Sequence, residues 1–259
     1  MKMTGNTILI TGGGSGIGRG LAEAFHALGN QVIISGRRKE ALDETTAANP
    51  GMKALTVDMA DSASVQAFAA KAAEENPALN VLVNMAGIMV NENLQTQKEP
   101  LDVMEATVAT NLVGPMRLTA ALLPALRRQP NPVVMTVTSG LAYAPLAMTP
   151  TYCATKAAIH SYTQSLRYQM KDTPLQVIEL IPPYVQTSLM GDRQANDPNA
   201  MPLADYVAET MSILTNSPEL TEVIVDRVKP QRTAEASGNY DTFFQTFNDR
   251  MFAARAGEM

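Results

Sequence analysis

Residues 8–20 read ILITGGGSGIGRG and place a series of glycines between an apolar, strand-like run and the start of a helical pattern. Such a turn lets the backbone come close to a pyrophosphate, and the N-terminus of the following helix offers free N–H groups and partial positive charge. Gly12, Gly16 and Gly18 stand at the positions that this role requires, and Ser15 can donate a further hydrogen bond to a phosphate or a ribose. No Lys-Ser or Lys-Thr pair follows the glycines, which excludes a P-loop. A glycine-rich turn is weak evidence alone, because a flexible strand-to-helix connection has the same composition.

The rest of the chain alternates in the same way between short apolar runs and stretches with helical periodicity. The apolar runs lack strict alternation of apolar and polar residues, which is typical of parallel strands covered by helices on both faces. The sequence therefore predicts an α/β fold with a doubly wound, mostly parallel Rossmann-type sheet in a single domain over residues 1–259. The predicted strands lie within residues 6–11, 31–36, 52–58, 79–87, 131–139, 175–183 and 221–228, and the predicted helices within 18–29, 39–48, 62–75, 101–128, 150–170 and 240–256.

The composition argues against several classes of function. The chain has 259 residues, 46% of them apolar and 17% charged, which suffices for a sizeable core without a signature of disorder. Its net charge of -5 argues against a broad nucleic-acid or membrane-binding surface. The single cysteine, Cys153, excludes an internal disulfide, and the two histidines, His26 and His160, give no metal-site spacing. Because no apolar run is long enough for a membrane span or a signal peptide, we expect a cytoplasmic protein.

The end of the second predicted strand indicates which dinucleotide would bind. An NAD site normally has an acidic residue there, about 20 residues after the glycines, to hold the ribose 2′-hydroxyl. This chain has Gly36 followed by Arg37 and Arg38. Guanidinium groups bind a 2′-phosphate in a bidentate manner, whereas a carboxylate would repel it. We therefore expect NADP(H) as the cofactor; the alternative is that both arginines are solvated residues at the start of the next helix.

Tyr152 and Lys156 lie four residues apart in a predicted helix and therefore share one face. A tyrosine ordinarily titrates at about pH 10, and a neighbouring ammonium group, with an oxidised nicotinamide ring also close, is expected to lower its pKa toward the range that is useful in acid–base catalysis. Ser139 ends the fifth predicted strand, where it would face the same crevice as the glycine turn. Asn111 is a further polar candidate in a largely apolar helical stretch. Each residue has an ordinary structural explanation when taken singly, but together they predict a catalytic group.

These residues resemble, in order and spacing, the short-chain dehydrogenase/reductases of the shorter, single-domain subgroup. The resemblance extends from about Thr7 to about Thr187. It implies a sheet with strand order 3-2-1-4-5-6-7 and a reaction that passes hydride reversibly between NADPH and the carbonyl carbon of a ketone. The segments that carry it are TGGGSGIG at 11–18, Asp58, NMAG at 84–87, Asn111, Ser139, the Y-x-x-x-K pair at 152 and 156, and PPYVQT at 182–187.

The resemblance also implies a role for each matching residue. Tyr152 would exchange a proton with the carbonyl oxygen, and Ser139 would hydrogen-bond that oxygen. Lys156 would bind the nicotinamide ribose and lower the pKa of Tyr152, and Asn111 would hold a water that links the lysine to solvent. The residues expected to contact the cofactor, with Asp58 at the adenine, are Gly12, Ser15, Gly16, Ile17, Gly18, Arg37, Arg38, Asp58, Asn84, Ala86, Gly87, Tyr152, Lys156, Pro182, Val185 and Thr187.

Two positions depart from the family pattern. Met85 replaces the second asparagine of N-N-A-G, which removes a polar side chain beside the expected cofactor cleft. Pro183 replaces the glycine of P-G and stiffens the segment expected to hold the nicotinamide, because proline fixes φ and has no N–H. Both replacements leave the four catalytic candidates untouched.

The residues expected to surround the substrate are nearly all apolar or aromatic, which favours a hydrophobic ketone over a carboxylate or phosphate substrate. Some of them lie in residues 186–202, a long non-periodic stretch that we interpret as a mobile cover over the site, the alternative being a plain surface loop. The expected pocket residues are Met89, Leu141, Tyr143, Met148, Tyr184, Leu189 and Met190.

Two other functions compete with this one. A protein that binds NADP(H) as a sensor without turnover would use the same scaffold, although the intact Ser, Tyr, Lys and Asn set argues against it. A serine hydrolase would require G-x-S-x-G and a histidine base, whereas Ser139 lies in TVTSG and His160 is expected to be a satisfied helix residue. By resemblance, we expect a homodimer or homotetramer that pairs through the helices at about residues 101–128 and 150–170.

Overall fold

The structure, a computed structural model, describes residues 1–96 and 101–255. In this part of the chain, seven parallel strands form one sheet in the order β3-β2-β1-β4-β5-β6-β7, which confirms the predicted fold class and strand order. The strands are β1 (Thr7–Thr11), β2 (Gln31–Gly36), β3 (Lys53–Thr56), β4 (Leu79–Asn84), β5 (Val133–Val137), β6 (Gln176–Ile181) and β7 (Glu222–Ile224).

Helices connect the strands and cover both faces of the sheet. In the described residues no helix is both long and apolar enough to cross a membrane. The predicted helices are present within a few residues of their expected bounds, but α7, α8 and α9 in the following list have no predicted counterpart. The helices are α1 (Gly16–Ala27), α2 (Lys39–Ala48), α3 (Ser62–Glu75), α4 (Leu101–Val108), α5 (Gly114–Leu126), α6 (Pro150–Gln169), α7 (Asp192–Asn196), α8 (Leu203–Asn216), α9 (Lys229–Thr233) and α10 (Tyr240–Ala254).

Strand β1 shows why the apolar runs lack alternation. Successive side chains of a strand point to opposite faces of the sheet, and here both faces are covered. Ile8 and Ile10 belong to a core that includes Phe25 of α1, whereas Leu9 belongs to the opposite core together with Leu122 of α5. All five residues are fully or almost fully buried, and each such side chain contributes about 1.5–3 kcal/mol.

Two predicted elements differ from the structure. The helical region predicted at 101–128 contains a π-helical segment, Ala109–Val113, between α4 and α5. The strand predicted at 221–228 is only three residues long, because the chain turns into a 3-10 helix at Asp226–Val228. A short strand at the edge of a sheet limits pairing with other chains.

The carboxyl ends of the strands bring the predicted site residues to one edge of the sheet. Thr11 ends β1 and Asn84 ends β4, while Ser139 and Pro182 follow β5 and β6 within two residues. The order of the strands reverses between β1 and β4, which are neighbours in the sheet. Open α/β sheets bind their ligands at such a switch point.

Candidate active site

The glycine stretch at 12–18 is too closely packed for side chains at several positions, Gly12 and Gly18 among them. Gly12 has φ 69°, and a Cβ atom there would lie 3.0 Å from the Cα of Ala86. A Cβ atom on Gly18 would lie 2.3 Å from the carbonyl oxygen of Gly12. The turn therefore brings backbone atoms close together at the N-terminus of α1, where N–H groups and the helix dipole favour an anion.

Hydrogen bonds fasten the segment after β4 to this turn. The hydroxyl of Thr11 accepts hydrogen bonds from the backbone N–H groups of Met85 and Ala86, both at 3.0 Å. The side chain of Met85 packs against the core beneath the glycine turn, so the departure from the family pattern fills space with an apolar group. Asn84 is buried and donates to the hydroxyl of Thr119 at 2.9 Å.

A cavity of about 160 Å³ opens beside the glycine turn. The carboxylate of Asp58 is fixed at its wall by a 2.9 Å hydrogen bond from the N–H of Ala60. Ser35 also belongs to the wall, and its buried hydroxyl has no partner in the described residues. The cavity is lined by residues at the ends of β1 to β4, in the loops that follow them, in α2 and in the π-helical segment: Gly12, Gly14, Ser15, Ser35, Gly36, Arg37, Arg38, Ala41, Leu42, Val57, Asp58, Met59, Ala86, Gly87, Ile88 and Thr110.

The two arginines after β2 lie at the mouth of this cavity. A guanidinium nitrogen of Arg38 donates to the hydroxyl of Ser15 at 3.3 Å, so these two predicted cofactor residues lie next to each other. Arg37 is exposed and also lines the cavity. Neither arginine forms an ion pair within residues 1–96 and 101–255. Two cations thus adjoin the cavity with their charge available to a ligand.

Ser139, Tyr152 and Lys156 come together between β5 and α6, and all three are buried. Ser139 caps the 3-10 turn that follows it, with its oxygen accepting from the N–H of Leu141 at 3.1 Å. The Lys156 ammonium lies 5.5 Å from the centre of the Tyr152 ring and donates to the carbonyl of Val137 at 2.8 Å. The helical spacing therefore places the phenol and the ammonium on one face, as the sequence predicts.

Burial controls the ionisation of this group. Removal from water raises the pKa of Tyr152, and a hydrogen bond with Ser139 opposes only part of that increase. Burial also lowers the pKa of Lys156 to about 8. In the chain alone, burial therefore raises the pKa of Tyr152 instead of lowering it. The lowering by Lys156 together with a bound nicotinamide stays a prediction. The phenol therefore holds its proton at neutral pH.

Asn111 lies in the π-helical segment and holds the loop after β4 in place. Its side-chain oxygen accepts from the N–H of Ile88 and its nitrogen donates to the carbonyl of Ile88, both at 2.8 Å. The same nitrogen lies 3.4 Å from the hydroxyl of Thr155 on α6. Gly87 lies between Asn111 and Lys156: a Cβ atom on it would be 3.3 Å from the Asn111 oxygen and 3.8 Å from the Lys156 nitrogen. Asn111 thus belongs to the same group of residues, while its role in holding a water stays a prediction.

An apolar cluster surrounds Tyr152. Of the expected pocket residues, Met89 and Leu141 pack against this cluster, and Met148 lies within it and is fully buried. Phe247 and Met251 of α10 also pack there, and sequence reasoning missed them. Phe247 and Met251 are four residues apart and therefore share one face of an amphipathic helix. This spacing predicts that the face is buried, but it does not predict which part of the protein covers it.

A buried asparagine attaches α10 to this cluster. The side-chain oxygen of Asn248 accepts from the N–H of Ala147 at 2.7 Å, and its nitrogen donates to the carbonyl of Pro145 at 3.1 Å. Both partners belong to the loop between Ser139 and α6. The last helix is therefore fixed against the loop that leads into Tyr152.

Tyr143 packs against a different cluster from the one around Tyr152. Its ring packs with the core that contains Val185 and Val228, and its hydroxyl donates to the carboxylate of Glu179 at 2.8 Å and lies 2.9 Å from His160. The polar end of Tyr143 is taken up by a buried carboxylate, and its place in the substrate pocket stays a prediction. His160 has partners, as expected for a satisfied helix residue.

Residues 186–202 contain more structure than the non-periodic sequence indicates. They include a 3-10 turn at Ser188–Met190 and the short α7, and Val185 pairs with Met201 at their base. The buried Gln194 donates to the carbonyl of Val185 at 2.8 Å and to the hydroxyl of Thr187 at 3.1 Å. A Cβ atom on Gly16 would lie 3.3 Å from the Thr187 methyl group, so this segment begins directly over the glycine turn.

The other predicted residues of this region lie on either side of the segment. The carbonyl of Pro182 accepts from the N–H of Gly140 at 3.0 Å, next to Ser139. The hydroxyl of Tyr184 donates to Asp197 at 3.1 Å, and Leu189 is 41% exposed. The sulfur of Met190 lies 4.0 Å from the guanidinium of Arg255, which follows α10.

Comparison with known proteins identifies the family. Residues 6–198 match the family model described as short chain dehydrogenase. The chain is 40% identical over 251 residues to the uncharacterized oxidoreductase DltE of Bacillus subtilis (strain 168), a match that covers 96% of this chain and 98% of that protein.

Solved structures share the fold. A short-chain dehydrogenase from Sphingobium yanoikuyae in complex with NADPH has a TM-score of 0.79 at 22% identity and covers 93% of this chain and 95% of its own. A short chain dehydrogenase/reductase from Burkholderia phymatum in complex with NAD has a TM-score of 0.80 at 18% identity and covers 95% of this chain and 96% of its own. With its parallel sheet, its glycine turn and the matched residues 6–198, the chain belongs to the short-chain dehydrogenase/reductase family of oxidoreductases.

Proposed function

We propose that this oxidoreductase transfers hydride reversibly between NADPH and the carbonyl carbon of a hydrophobic ketone, with Tyr152 as the general acid and base. The observation that carries the proposal is the buried group at the strand ends: Ser139 interacts with Tyr152 and lowers its pKa, and Tyr152 lies one helical turn from Lys156. A protonated phenol beside a hydroxyl and a cation is suited to protonating a carbonyl oxygen.

The residues at the crevice fit a nicotinamide dinucleotide. The closely packed glycines set the backbone of the turn at the N-terminus of α1, where free N–H groups favour a pyrophosphate. In its wall, the cavity beside it has the carboxylate of Asp58 and the hydroxyl of Ser35, which has no partner among residues 1–96 and 101–255. Asn84, Ala86 and Gly87 would hold the middle of such a molecule, and the segment from Pro182 through Val185 to Thr187 its nicotinamide end. When bound, a nicotinamide cofactor supplies or accepts the hydride.

The chain's own residues manage the proton and the charge on oxygen. Tyr152 gives its proton to the carbonyl oxygen in reduction and takes it back in oxidation. The hydroxyl of Ser139 donates to the same oxygen and stabilises the negative charge that develops on it. Lys156, which is largely protonated below pH 8, keeps a positive charge near the phenol. Asn111 holds Ile88 and thereby the loop that forms one side of the crevice.

Apolar side chains support a hydrophobic substrate. Met89, Leu141, Phe247 and Met251 pack against the cluster that contains Tyr152, so the surroundings of the phenol are rich in carbon and sulfur atoms. We propose that residues 186–202 cover this space, since Thr187 lies over the glycine turn and Leu189 presents an exposed apolar side chain next to it.

The proposed activity is tested by following nicotinamide absorbance with NADPH and a panel of aliphatic, aryl and bicyclic ketones. We expect turnover of several hydrophobic ketones and little turnover of keto acids of the same size. Tight binding of NADPH without turnover of any ketone would instead favour the NADP(H)-binding protein. Absence of both binding and turnover would contradict the proposal.

The preference for NADPH rests on Arg37 and Arg38, and their replacement is expected to remove it. In the double variant Arg37→Ala/Arg38→Ala, the KM for NADPH should rise about 10–100-fold, because two charge-assisted contacts to the 2′-phosphate are lost. The KM for NADH should stay nearly unchanged. Steady-state kinetics with each cofactor at saturating ketone measures both values.

A matched control separates local recognition from general charge. Lys39 is the next cation along the chain, but it pairs with Asp43 at 2.5 Å and does not line the cavity. Lys39→Ala should therefore leave both KM values unchanged. If wild-type protein prefers NADH, or if the double variant binds NADPH as well as wild type does, the NADP assignment fails.

We further propose that the protein forms a homodimer or homotetramer through α4, α5 and α6. Leu101 and Met104 of α4 and Met116 of α5 are exposed apolar residues, and a helix face of this kind is commonly covered by a partner. Sedimentation velocity measures the state directly. A location in the cytoplasm stays a prediction from the sequence.

A further inference from the structure

A second buried charged group lies behind the active site, centred on Glu179 of β6. Its side chain has 0% exposure, and its carboxylate accepts hydrogen bonds from the hydroxyls of Thr138 at 2.7 Å and Tyr143 at 2.8 Å. The Nδ1 atom of His160 lies 2.8 Å from its other oxygen. A carboxylate can be buried at acceptable cost only when its oxygens are hydrogen-bonded or paired, and these three partners meet that condition.

The three partners come from the segments that carry the catalytic candidates. Thr138 immediately precedes Ser139. Tyr143 ends the short 3-10 turn that Ser139 caps. His160 lies on α6, one helical turn after Lys156 and two turns after Tyr152. One carboxylate therefore connects both flanks of Ser139 to the helix that bears Tyr152.

Further contacts hold this arrangement from outside. The rings of Tyr143 and His160 meet edge to face, with their centres 4.8 Å apart. The guanidinium of Arg232 lies 4.7 Å from the centre of the Tyr143 ring and pairs with Glu222, the neighbour of Glu179 across the sheet. Burial and the adjacent Glu179 raise the pKa of Tyr143, so its hydroxyl keeps the proton that it donates. Tyr143, which donates to Glu179, is therefore held in place by contacts of its ring with both His160 and Arg232.

We propose that Glu179 is a positioning residue. Through its contacts with Thr138, Tyr143 and His160, it holds the hydroxyl of Ser139 next to that of Tyr152. Its importance for turnover rests on the proposed function, whereas its effect on the two segments does not. Catalytic groups lose about 10²-fold in rate when they are displaced by 1 Å, so a residue that fixes two of them has a large effect without touching substrate.

Glu179→Gln tests the proposal with little change of shape. A carboxamide has one accepting oxygen instead of two, and its NH₂ group would face a donor, so at least one of the three partners loses its acceptor. Hydrogen exchange measured by mass spectrometry should show faster exchange in peptides covering 138–144 and 150–160, with α1 and α3 unchanged. Glu209→Gln is the control. Glu209 also accepts a hydrogen bond, from the backbone N–H of Asp226, but it lies on α8, away from the segments that carry Ser139 and Tyr152. Unchanged exchange in both segments would overturn the proposal, and this result does not depend on which substrate the protein uses.

A kinetic cycle then shows whether Glu179 acts through Ser139. In the wild-type background, Glu179→Gln should lower kcat for ketone reduction about 10–100-fold and leave the KM for NADPH unchanged. In the Ser139→Ala background the same change should cost less than about threefold, because the group that it positions is already absent. An equal loss in both backgrounds would show a general structural role and overturn the proposal.

A milder variant covers the case in which Glu179→Gln does not fold. Tyr143→Phe removes one donor and leaves the carboxylate with two partners, so it should lower kcat about three- to tenfold, again only when Ser139 is present. Absence of turnover in the wild-type protein would count against the proposed ketone reduction alone. In that case the exchange measurements on both variants decide the question for Glu179.

Discussion

Tyr152→Phe is expected to lower kcat for ketone reduction by about 10²–10⁴-fold, the range that removal of a general acid produces. The phenol is buried and burial raises its pKa, so in wild-type protein it carries its proton at neutral pH. Phenylalanine has the same shape and packs equally well against Leu146 and Met148, so folding should be unaffected. Stopped-flow absorbance of NADPH with a saturating ketone measures the rate.

A second tyrosine on the same helix provides the control. Tyr162 is half-buried, with a hydrogen bond between its hydroxyl and Thr119, and it does not belong to the cluster around Tyr152. Tyr162→Phe should keep nearly full activity, and both variants should bind NADPH as wild type does. If Tyr152→Phe retains most of the wild-type activity, another group supplies the proton and the assigned role is refuted.

Lys156→Met is expected to abolish most activity and at the same time to stabilise the fold. The side chain is buried, and its only polar partner in the described residues is the carbonyl of Val137. Burial lowers its pKa from 10.5 to about 8, and this difference corresponds to about 3 kcal/mol of unfavourable free energy at neutral pH. Loss of the hydrogen bond to Val137 offsets about 1–2 kcal/mol of the gain. The net change should raise Tm by about 2–6 °C.

The pH dependence of this gain has a definite sign. Below pH 8 the lysine is protonated in both states, so the folded wild-type protein bears the full cost of a buried charge. Between about pH 8 and the ordinary lysine pKa, the unfolded chain binds this proton more strongly than the folded chain does, so the free energy of unfolding of wild type rises with pH. The advantage of Lys156→Met should therefore shrink between pH 7 and pH 10.

Calorimetry at pH 7 and pH 9.5 measures this difference. Lys71→Met is the control, because Lys71 lies exposed on α3 next to Glu75 and should give a small difference that does not change in this pH window. A lower Tm for Lys156→Met at pH 7 would mean that Lys156 stabilises the fold and would contradict its assignment as a costly functional charge.

The fold could be predicted from the sequence because its signals are local. The apolar runs, the helical periods and the glycine turn each lie within about 15 residues, and the strand order follows from the family that they resemble. The helix α8 was missed because its first residues, after Pro202, adjoin a stretch rich in turn-forming residues. The sequence does not predict the order within residues 186–202, because Gln194, which organises them, is polar and gives no periodic signal.

The active site could be predicted only in part. Spacing in the helix was enough to place Tyr152 and Lys156 on one face, but it contains no information about how deeply they are buried, and burial dominates both pKa values. The contacts of Phe247 with the Tyr152 cluster join positions about 95 residues apart. The partners of Glu179 are likewise distant in sequence, so neither feature leaves a local pattern.

The π-helical segment predicts where related sequences can tolerate deletions and insertions. Each residue of an α-helix turns the chain by about 100°, so removing Leu112 or Val113 would rotate Asn111 and α5 relative to each other by about that angle. Either Asn111 would leave Ile88, or the buried face of α5 at Leu118 would turn toward water. Single-residue deletions should therefore be rejected here by selection, whereas the exposed turn at 127–131 should accept gaps and insertions among related sequences.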